Sequence, residues 1–424
     1  PSEDHFFHGF TLHELAMTYE DVGQLGVAAE TYLEVFQYAA KHNPAFALHS
    51  IAAFARTRKR QARLREARLS FQEAVDRIDE LGPDVNLIAW ALSGLLETIV
   101  EQNDMERADE WVAEVLNLRQ QLLMNASGWV WMGLSQIDFS LASYYLARGN
   151  IEEATDLFNG LKKYVPNQWI SIPNVFQRLI DVQVLIGSAL DEPKTENHLL
   201  ADIEVYLKDK PDLTLIEQLA QVRIHRAHKQ FSQAQNVLER LEARVRQTEE
   251  GEHLLHTLVI KALVYQDLGD DQTALQAIEE ALSIAEPNRY ARVFIDEGPP
   301  MKHLLSRYVS GSRNAALQQY AQQLVVAFSA PAEPITDLSA DSLPKTARLS
   351  ATPAELTQRE LEVLHLLTTP LSYKEIAAHL MISVNTVRIH VKSIFHKLDA
   401  HSRRAALERA KELNLLDDAP QSSI

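Results

Sequence analysis

The 424-residue chain contains no cysteine, which excludes disulfides, thiolate zinc sites and cysteine nucleophiles. Glycine (14 residues) and proline (16) are sparse, and the abundance of Ala, Leu, Glu, Gln and Arg favours helix over sheet. No run approaches the roughly 18 apolar residues of a membrane span. The opening PSEDHFFHGF lacks the basic start and apolar stretch of a signal peptide, so the cytoplasm is the expected compartment. There is no GxxxxGK[ST] loop to cradle a phosphate. No nucleophile–base spacing or metal motif is visible either, and an enzyme is not expected.

Charge is plentiful but uneven. The formal net charge is −17, yet residues 356–416 carry nine Lys and Arg against six Asp and Glu, leaving 32 against 52 for the remainder. An acidic body with a small basic end predicts that only the end meets nucleic acid.

Small residues mark a period in the body. Ala28, Ala67, Ala108, Ala154, Ala234 and Ala274 stand 39, 41, 46, 80 and 40 residues apart, and 80 is two periods with one mark missing. Each begins a similar local sequence, as in RLREARLSFQEA, NIEEATDLFNGL and DQTALQAIEEAL. Gly149-Asn150 and Gly269-Asp270 precede two of them, where glycine can end one helix and Asn or Asp can cap the next. An apolar-periodic stretch lies upstream of each mark, so the unit is two antiparallel helices with alanine at the crossing. A period near 40 residues predicts an all-α, tetratricopeptide-like α-solenoid over residues 1–286, with about seven helical pairs from Phe10 to Glu286. Its concave face is a place for a ligand or partner to dock; the bland alternative is a spacer. The ligand-binding residues are unknown at this level. DEPKTENHL (191–199), where the alanine mark is absent, reads as a worn repeat. Trp111, Trp129, Trp131, Tyr144, Tyr145 and Trp169 read as core, and His253/His256 is an i,i+3 pair without a third metal ligand nearby.

After Glu286 the pattern changes. Residues 287–328 read as a C-terminal cap: a β-rich run at Tyr290–Ile295, a Gly-Pro-Pro turn, a helix beginning near Met301 with Pro299 and Pro300 in its first turn, and a last helix at Asn314–Phe328. Residues 329–354, with several prolines and no periodicity, read as a linker.

The end of the chain, 355–424, reads as four helices at 358–368, 373–380, 384–398 and 403–413. Thr357/Glu360 and Ser372/Glu375 are capping boxes, and Ser383 and Ser402 are further caps. Only Met381 to Ser383 separates the second helix from the third, a helix-turn-helix connection. On the third helix Val387, Val391, Ile394 and Leu398 fall within about 40° of one another, forming a buried stripe. Asn385, Arg388, Ile389, Lys392 and His396 form the opposite, outward face. Arg388 can pair with guanine, Ile389 can meet a thymine methyl, and Lys392 can reach a base or phosphate in a major groove. Ser383, Thr386, Lys397 and Arg403 are candidates to hold phosphates. An ordinary solvated basic face is the alternative.

LTQRELEVL, the central EIA, SVNTVRIH and the closing KL resemble the LuxR/NarL-type helix-turn-helix domain along its whole length. The resemblance implies that Arg388, Ile389 and Lys392 take the base-facing positions, and that Ala405, Ala406 and Arg409 of the fourth helix make a dimer contact. Pro370 and Leu371 depart from that family's usual Gly-Leu, and Tyr373 from its Asn. ALQAIEEALSIAEPNRYARVFIDEGPPMKHLL resembles the segment before the DNA-binding domain of large, MalT-like ATP-binding LuxR regulators. In those proteins a nucleotide-binding module precedes a helical sensor, and inducer plus ATP drive self-association. With no phosphate loop here, no cofactor is expected in this chain, and ATP enters only through a missing N-terminal module. The opening within a repeat-like helix favours a truncated piece. The expected function is a sequence-specific transcriptional regulator that binds double-stranded DNA as a dimer, meets RNA polymerase, and answers a small-molecule or peptide inducer through its repeats. A protein–protein scaffold with secondary DNA binding is the alternative.

Overall fold

A computed structural model describes residues 3–78, 84–124, 130–164, 207, 213–312 and 314–328. Towards the end it describes 358–369, 371–372, 375–376, 379, 387, 391, 394, 398, 403–412 and 415. It divides into two compact units, Pro1–Asp337 and Leu338–Ile424. Among the described residues, regular structure is helical throughout.

The first unit is a stack of antiparallel pairs: α1 (Glu3–Asp21) with α2 (Leu25–His42), α3 (Pro44–Arg60) with α4 (Leu64–Asp76), and α5 (Val85–Glu101) with α6 (Met105–Met124). These are followed by α7 (Val130–Ala147) with α8 (Ile151–Tyr164), α9 (Leu215–Ala227) with α10 (Phe231–Val245), and α11 (Gly251–Asp267) with α12 (Asp271–Ala285). The expected seventh pair, with the worn repeat at 191–199, falls on residues outside those described. All six alanine marks are fully buried, each the fourth residue of the second helix of its pair. A methyl there lets one helix cross its partner closely, which a larger side chain forbids.

One turn is used six times. Five residues before each mark the chain takes a left-handed conformation, at Gly23, Ala62, Asn103, Gly149, Lys229 and Gly269, with φ between 58° and 80°. The next residue's N–H reaches back five residues, as in Gln24 to the Tyr19 carbonyl (2.9 Å), Asn150 to Tyr145 (2.8 Å) and Asp270 to Tyr265 (2.9 Å). This closes off carbonyls that the helix end leaves without partners. Asp270 then caps α12 by accepting from the Thr273 N–H at 3.1 Å.

The stretch after α12 corrects one expectation. Tyr290–Ile295 is not a strand: a 3₁₀ turn (Glu286–Asn288) leads to a short helix, α13 (Arg292–Ile295). Its apolar side chains are taken up by the core, with Tyr290, Ala291, Val293 and Phe294 buried. Its donors go to the end of α5 rather than to a neighbouring strand. Ala291 N–H donates to the Glu101 carbonyl and Val293 N–H to its Oε1, both at 2.9 Å. Tertiary partners here override local β preference. Then α14 (Gly298–Gly311) begins with both prolines in its first turn, and Asn314 caps α15 (Ala315–Ala327).

Those contacts belong to a wider seam. A solenoid repeat ordinarily touches only its neighbours, yet Ala62 and Leu64 lie in the same buried cluster as residues from Leu219 to Leu324. The last turn of α3 carries Arg58, Lys59 and Arg60; it faces the start of α11, where Glu250 precedes Glu252. Lys59 Nζ lies 2.9 Å from Glu252, and Arg60 pairs with both Glu20 (2.7 Å) and Glu250. Each set of charges suits its own helix end as well as the other set. Tyr290 Oη adds a bond to the Lys59 carbonyl at 3.3 Å. Gly251 permits the approach, since a Cβ there would lie 2.7 Å from the Gln61 carbonyl oxygen. The early and late pairs of the first unit are thus joined.

Candidate nucleic-acid interface

The second unit is organised around one small apolar cluster. From α16 (Gln358–Leu367) come Val363, Leu364 and Leu367, from α17 (Arg403–Glu412) come Ala406 and Ala410, and between them Ile376, Val387, Val391, Ile394 and Leu398 are drawn in. Val387, Val391, Ile394 and Leu398 are 0, 4, 0 and 2% exposed, so all four residues of the expected inward stripe are core. The Ser372 capping box forms as its spacing predicts. Ser372 N–H donates to Glu375 Oε2 at 2.8 Å, its hydroxyl reaches the same oxygen at 2.7 Å, and Glu375 N–H returns to Ser372 Oγ at 3.4 Å. Those bonds to Ser372 hold the Glu375 carboxyl below its usual range.

Asn385, Arg388, Ile389 and Lys392, the expected base-contacting residues, lie outside the described residues, as do Ser383, Thr386 and Lys397 among the phosphate candidates. The other assignments land on α17. Ala406 has no exposed surface and packs in the cluster, so within one chain it is a packing residue and presents no surface to a partner. Arg409 is exposed on the same helix.

Arg403 departs most from its expected role. Its Nε donates to the Leu367 carbonyl at 3.0 Å, one terminal nitrogen to the Leu371 carbonyl at 3.0 Å, and the other to the Thr369 carbonyl. A guanidinium committed to three backbone carbonyls is a tie between α17 and the turn after α16, not a free phosphate ligand. A signal for this was present in the sequence. Arg403 and Arg404 open α17 with no acidic residue in the first turn, against the helix dipole, and such a violation asks for a compensating acceptor.

In the first unit, several polar groups with strongly shifted protonation sit at the seam and under the first helices. Burial pushes Glu250 up, but hydrogen bonds from His253 and Arg60 outweigh it and hold the carboxyl at about 2. Burial lowers His13 to about 4 and His49 to about 3; their rings lie 4.4 Å apart. Arg56 stands 5.3 Å over the Trp90 ring beside them. Among the described residues no group of three His, Asp or Glu is placed to hold a metal. His253 instead lies 3.1 Å from Glu250. Trp111 is buried as expected. Tyr144 is anchored by its hydroxyl to Asp109 at 2.7 Å, while Trp129 and Trp169 are outside the described residues. No described helix is long and apolar enough to cross a membrane.

Comparison with known proteins matches both units. Residues 1–310 match the MalT-like TPR region, and residues 354–410 match the bacterial regulatory proteins of the luxR family. Curated relatives include the HTH-type transcriptional regulator MalT of Klebsiella pneumoniae (strain 342), 26% identical over 194 residues. Those residues are 43% of this chain and 21% of that protein. The regulator of the same name from Vibrio cholerae is 24% identical over 195 residues, with the same shares, and that of Serratia proteamaculans is 25% identical. The matched stretch therefore spans about a fifth of the length of these relatives. The chain belongs to the family with a MalT-like TPR region, and it carries a luxR-family domain at its end.

Proposed function

We propose that the chain is a sequence-specific DNA-binding transcriptional regulator whose helical-repeat body, 1–286 with its cap at 287–328, senses a ligand or docks a partner. A linker at 329–354 joins the body to a DNA reader at 355–424. One observation carries the reading of the reader: residues 387, 391, 394 and 398 are all core. Their burial supports the helical phase on which Arg388, Ile389, Lys392 and Asn385 were assigned to the opposite face. On that phase Arg388 and Lys392 bring the cationic chemistry of base and phosphate contacts, and Ile389 a methyl-sized apolar one. Ser383, Thr386 and Lys397 set the register on phosphates. A single recognition helix gives modest contact, so two copies act on paired half-sites, meeting through α17. RNA polymerase and a small-molecule or peptide inducer are the further partners of this reading. The curated relatives, named as regulators, support a role outside catalysis.

Selection of bound duplexes from random DNA with the full chain tests the reading. A recurrent, two-fold-related sequence is expected; recovery of no preferred sequence overturns it.

A further inference from the structure

We propose that Arg403 is a positioning residue for DNA reading: it fixes the turn between α16 and the helix-turn-helix, and through that turn the placement of the recognition helix. The proposal rests on the reading of 355–424 as a DNA reader, and it goes beyond any base or phosphate contact assigned there.

A helix such as α16 leaves its last four C=O groups without intrahelical donors. Two are met locally: Thr368 N–H donates to the His365 carbonyl at 3.1 Å and Thr369 N–H to the Leu366 carbonyl at 3.2 Å. The threonine hydroxyls double both bonds, at 2.6 Å each. The next residue in sequence is Pro370, which has no N–H to offer. Among the described residues, no backbone N–H reaches the carbonyls of Leu367, Thr369 or Leu371. Arg403 supplies all three donors from a single planar group. Guanidinium suits this task because its N–H groups diverge in one plane and it stays charged at every relevant pH.

The position of the clamp gives it consequence. Leu371 directly precedes Ser372, whose capping box with Glu375 starts the next helix, and Ile376 one residue on is fully buried in the shared cluster. Arg403 therefore ties the end of α16, the start of the second helix and the start of α17 at one point. Ala406 and Ala410 hold α17 against the same core. The charge that opposes the α17 dipole is offset by three carbonyl dipoles. Three of its five N–H groups are thus engaged with backbone carbonyls.

The test compares wild type, Arg403→Lys, Arg403→Gln and Lys397→Ala in the full chain, titrated over a range of salt against a selected duplex and a random one. Charge-assisted hydrogen bonds of this kind make a loss of about tenfold or more in binding to the selected duplex the expectation for Arg403→Gln. The slope of log K against log salt should stay at the wild-type value for both Arg403 variants, while Lys397→Ala lowers it by about 0.9. A slope reduced by the same amount in Arg403→Gln, with equal loss on both duplexes, makes Arg403 a phosphate contact and overturns the proposal. Amide hydrogen exchange without DNA gives an independent readout, usable even if Arg403→Gln unfolds the unit. Arg403→Lys, which can replace one donor but not three, should speed exchange at 368–376 more than in the body of α17. Unchanged exchange at 368–376 overturns the clamp. A wild type with no preference between duplexes would sink the DNA reading, while the exchange result would still judge the clamp.

Discussion

Arg388 and Gly94 are residues of opposite kinds, one assigned by its chemistry and one by its lack of a side chain. Arg388→Ala is expected to weaken binding to a selected duplex by about 1–3 kcal/mol, concentrated at one base position. An equal loss on random DNA would remove its base-reading role. Gly94 lies inside α5, where glycine is normally a weakness. A Cβ at this position would stand 2.3 Å from the ring of Phe71 on α4, which is itself 4% exposed. Gly94→Ala is therefore expected to destabilise the body by about 1–3 kcal/mol through overpacking, despite its better helix propensity. Urea unfolding of the full chain decides between these opposed effects, and a gain in stability would refute the packing account.

At the scale of the element, the repeated inter-helix turn was only partly legible. Gly149 and Gly269 announced it, because glycine next to Asn or Asp is a recognisable helix end. Asn103, a residue that takes this conformation readily, does the same job at φ 58°; Ala62 and Lys229 do so at 61° and 58° without a sequence mark, since the neighbouring helices impose the conformation on residues that do not prefer it. Two outcomes follow. Gly269→Ala should cost about 1 kcal/mol, because a side chain is strained at φ 80° even in open space. Lys229→Gly should leave stability unchanged or raise it by up to about 1 kcal/mol, relief of strain offsetting the freer unfolded chain. Thermal melts of the two variants check both signs, and a lower melting temperature for Lys229→Gly would contradict the common-turn account. The α13 segment is the converse case. Its Tyr, Val, Phe and Ile composition suggested a strand, and it became a helix because Glu101 and the core took its donors and side chains.

The seam gives the whole first unit a behaviour that a linear array lacks. Coupling of early to late pairs through Arg60 and Glu250 predicts that Arg60→Glu loosens both ends together, and that adding Glu250→Arg restores part of the loss. Hydrogen exchange in α1–α4 and α11–α13 measures this; loosening confined to α3 and α4 would deny the coupling. The seam also sets two pH dependences of opposite sign. Glu250, held at about 2 against an ordinary 4.5, contributes stability that is present above pH 4.5 and lost as pH falls towards 2. Glu101 is different: burial pushes it up to about 8, aided by Asp296 and Glu252 and opposed by the Val293 N–H and by Lys59. Its folded form keeps a proton that the unfolded chain has released, so stability declines as pH rises from 4.5 to 8. Glu101→Gln is expected to raise the melting temperature by several degrees at pH 8 and to flatten its fall between pH 6 and 8. A melting profile parallel to wild type over that range would show that Glu101 is ionised in the folded protein.

The sequence alone determined what depends on local periodicity. Those features are the alanine marks, the pairing of helices, the Ser372 capping box, the inward stripe of the third helix and the family of each unit, each set by neighbours a few residues apart or by a repeated pattern. The tertiary structure alone decided which distant groups meet. It brought Lys59 and Arg60 to Glu252 and Glu250 across some 190 residues of chain, folded the strand-like 290–295 into a helix, and turned Arg403 from a candidate phosphate ligand into a clamp. The physical reason is that a charge or a hydrogen-bond donor carries no record of its partner in its own sequence. Only the packing of the helices selects, among many acceptors, the carbonyl or carboxylate within 3 Å.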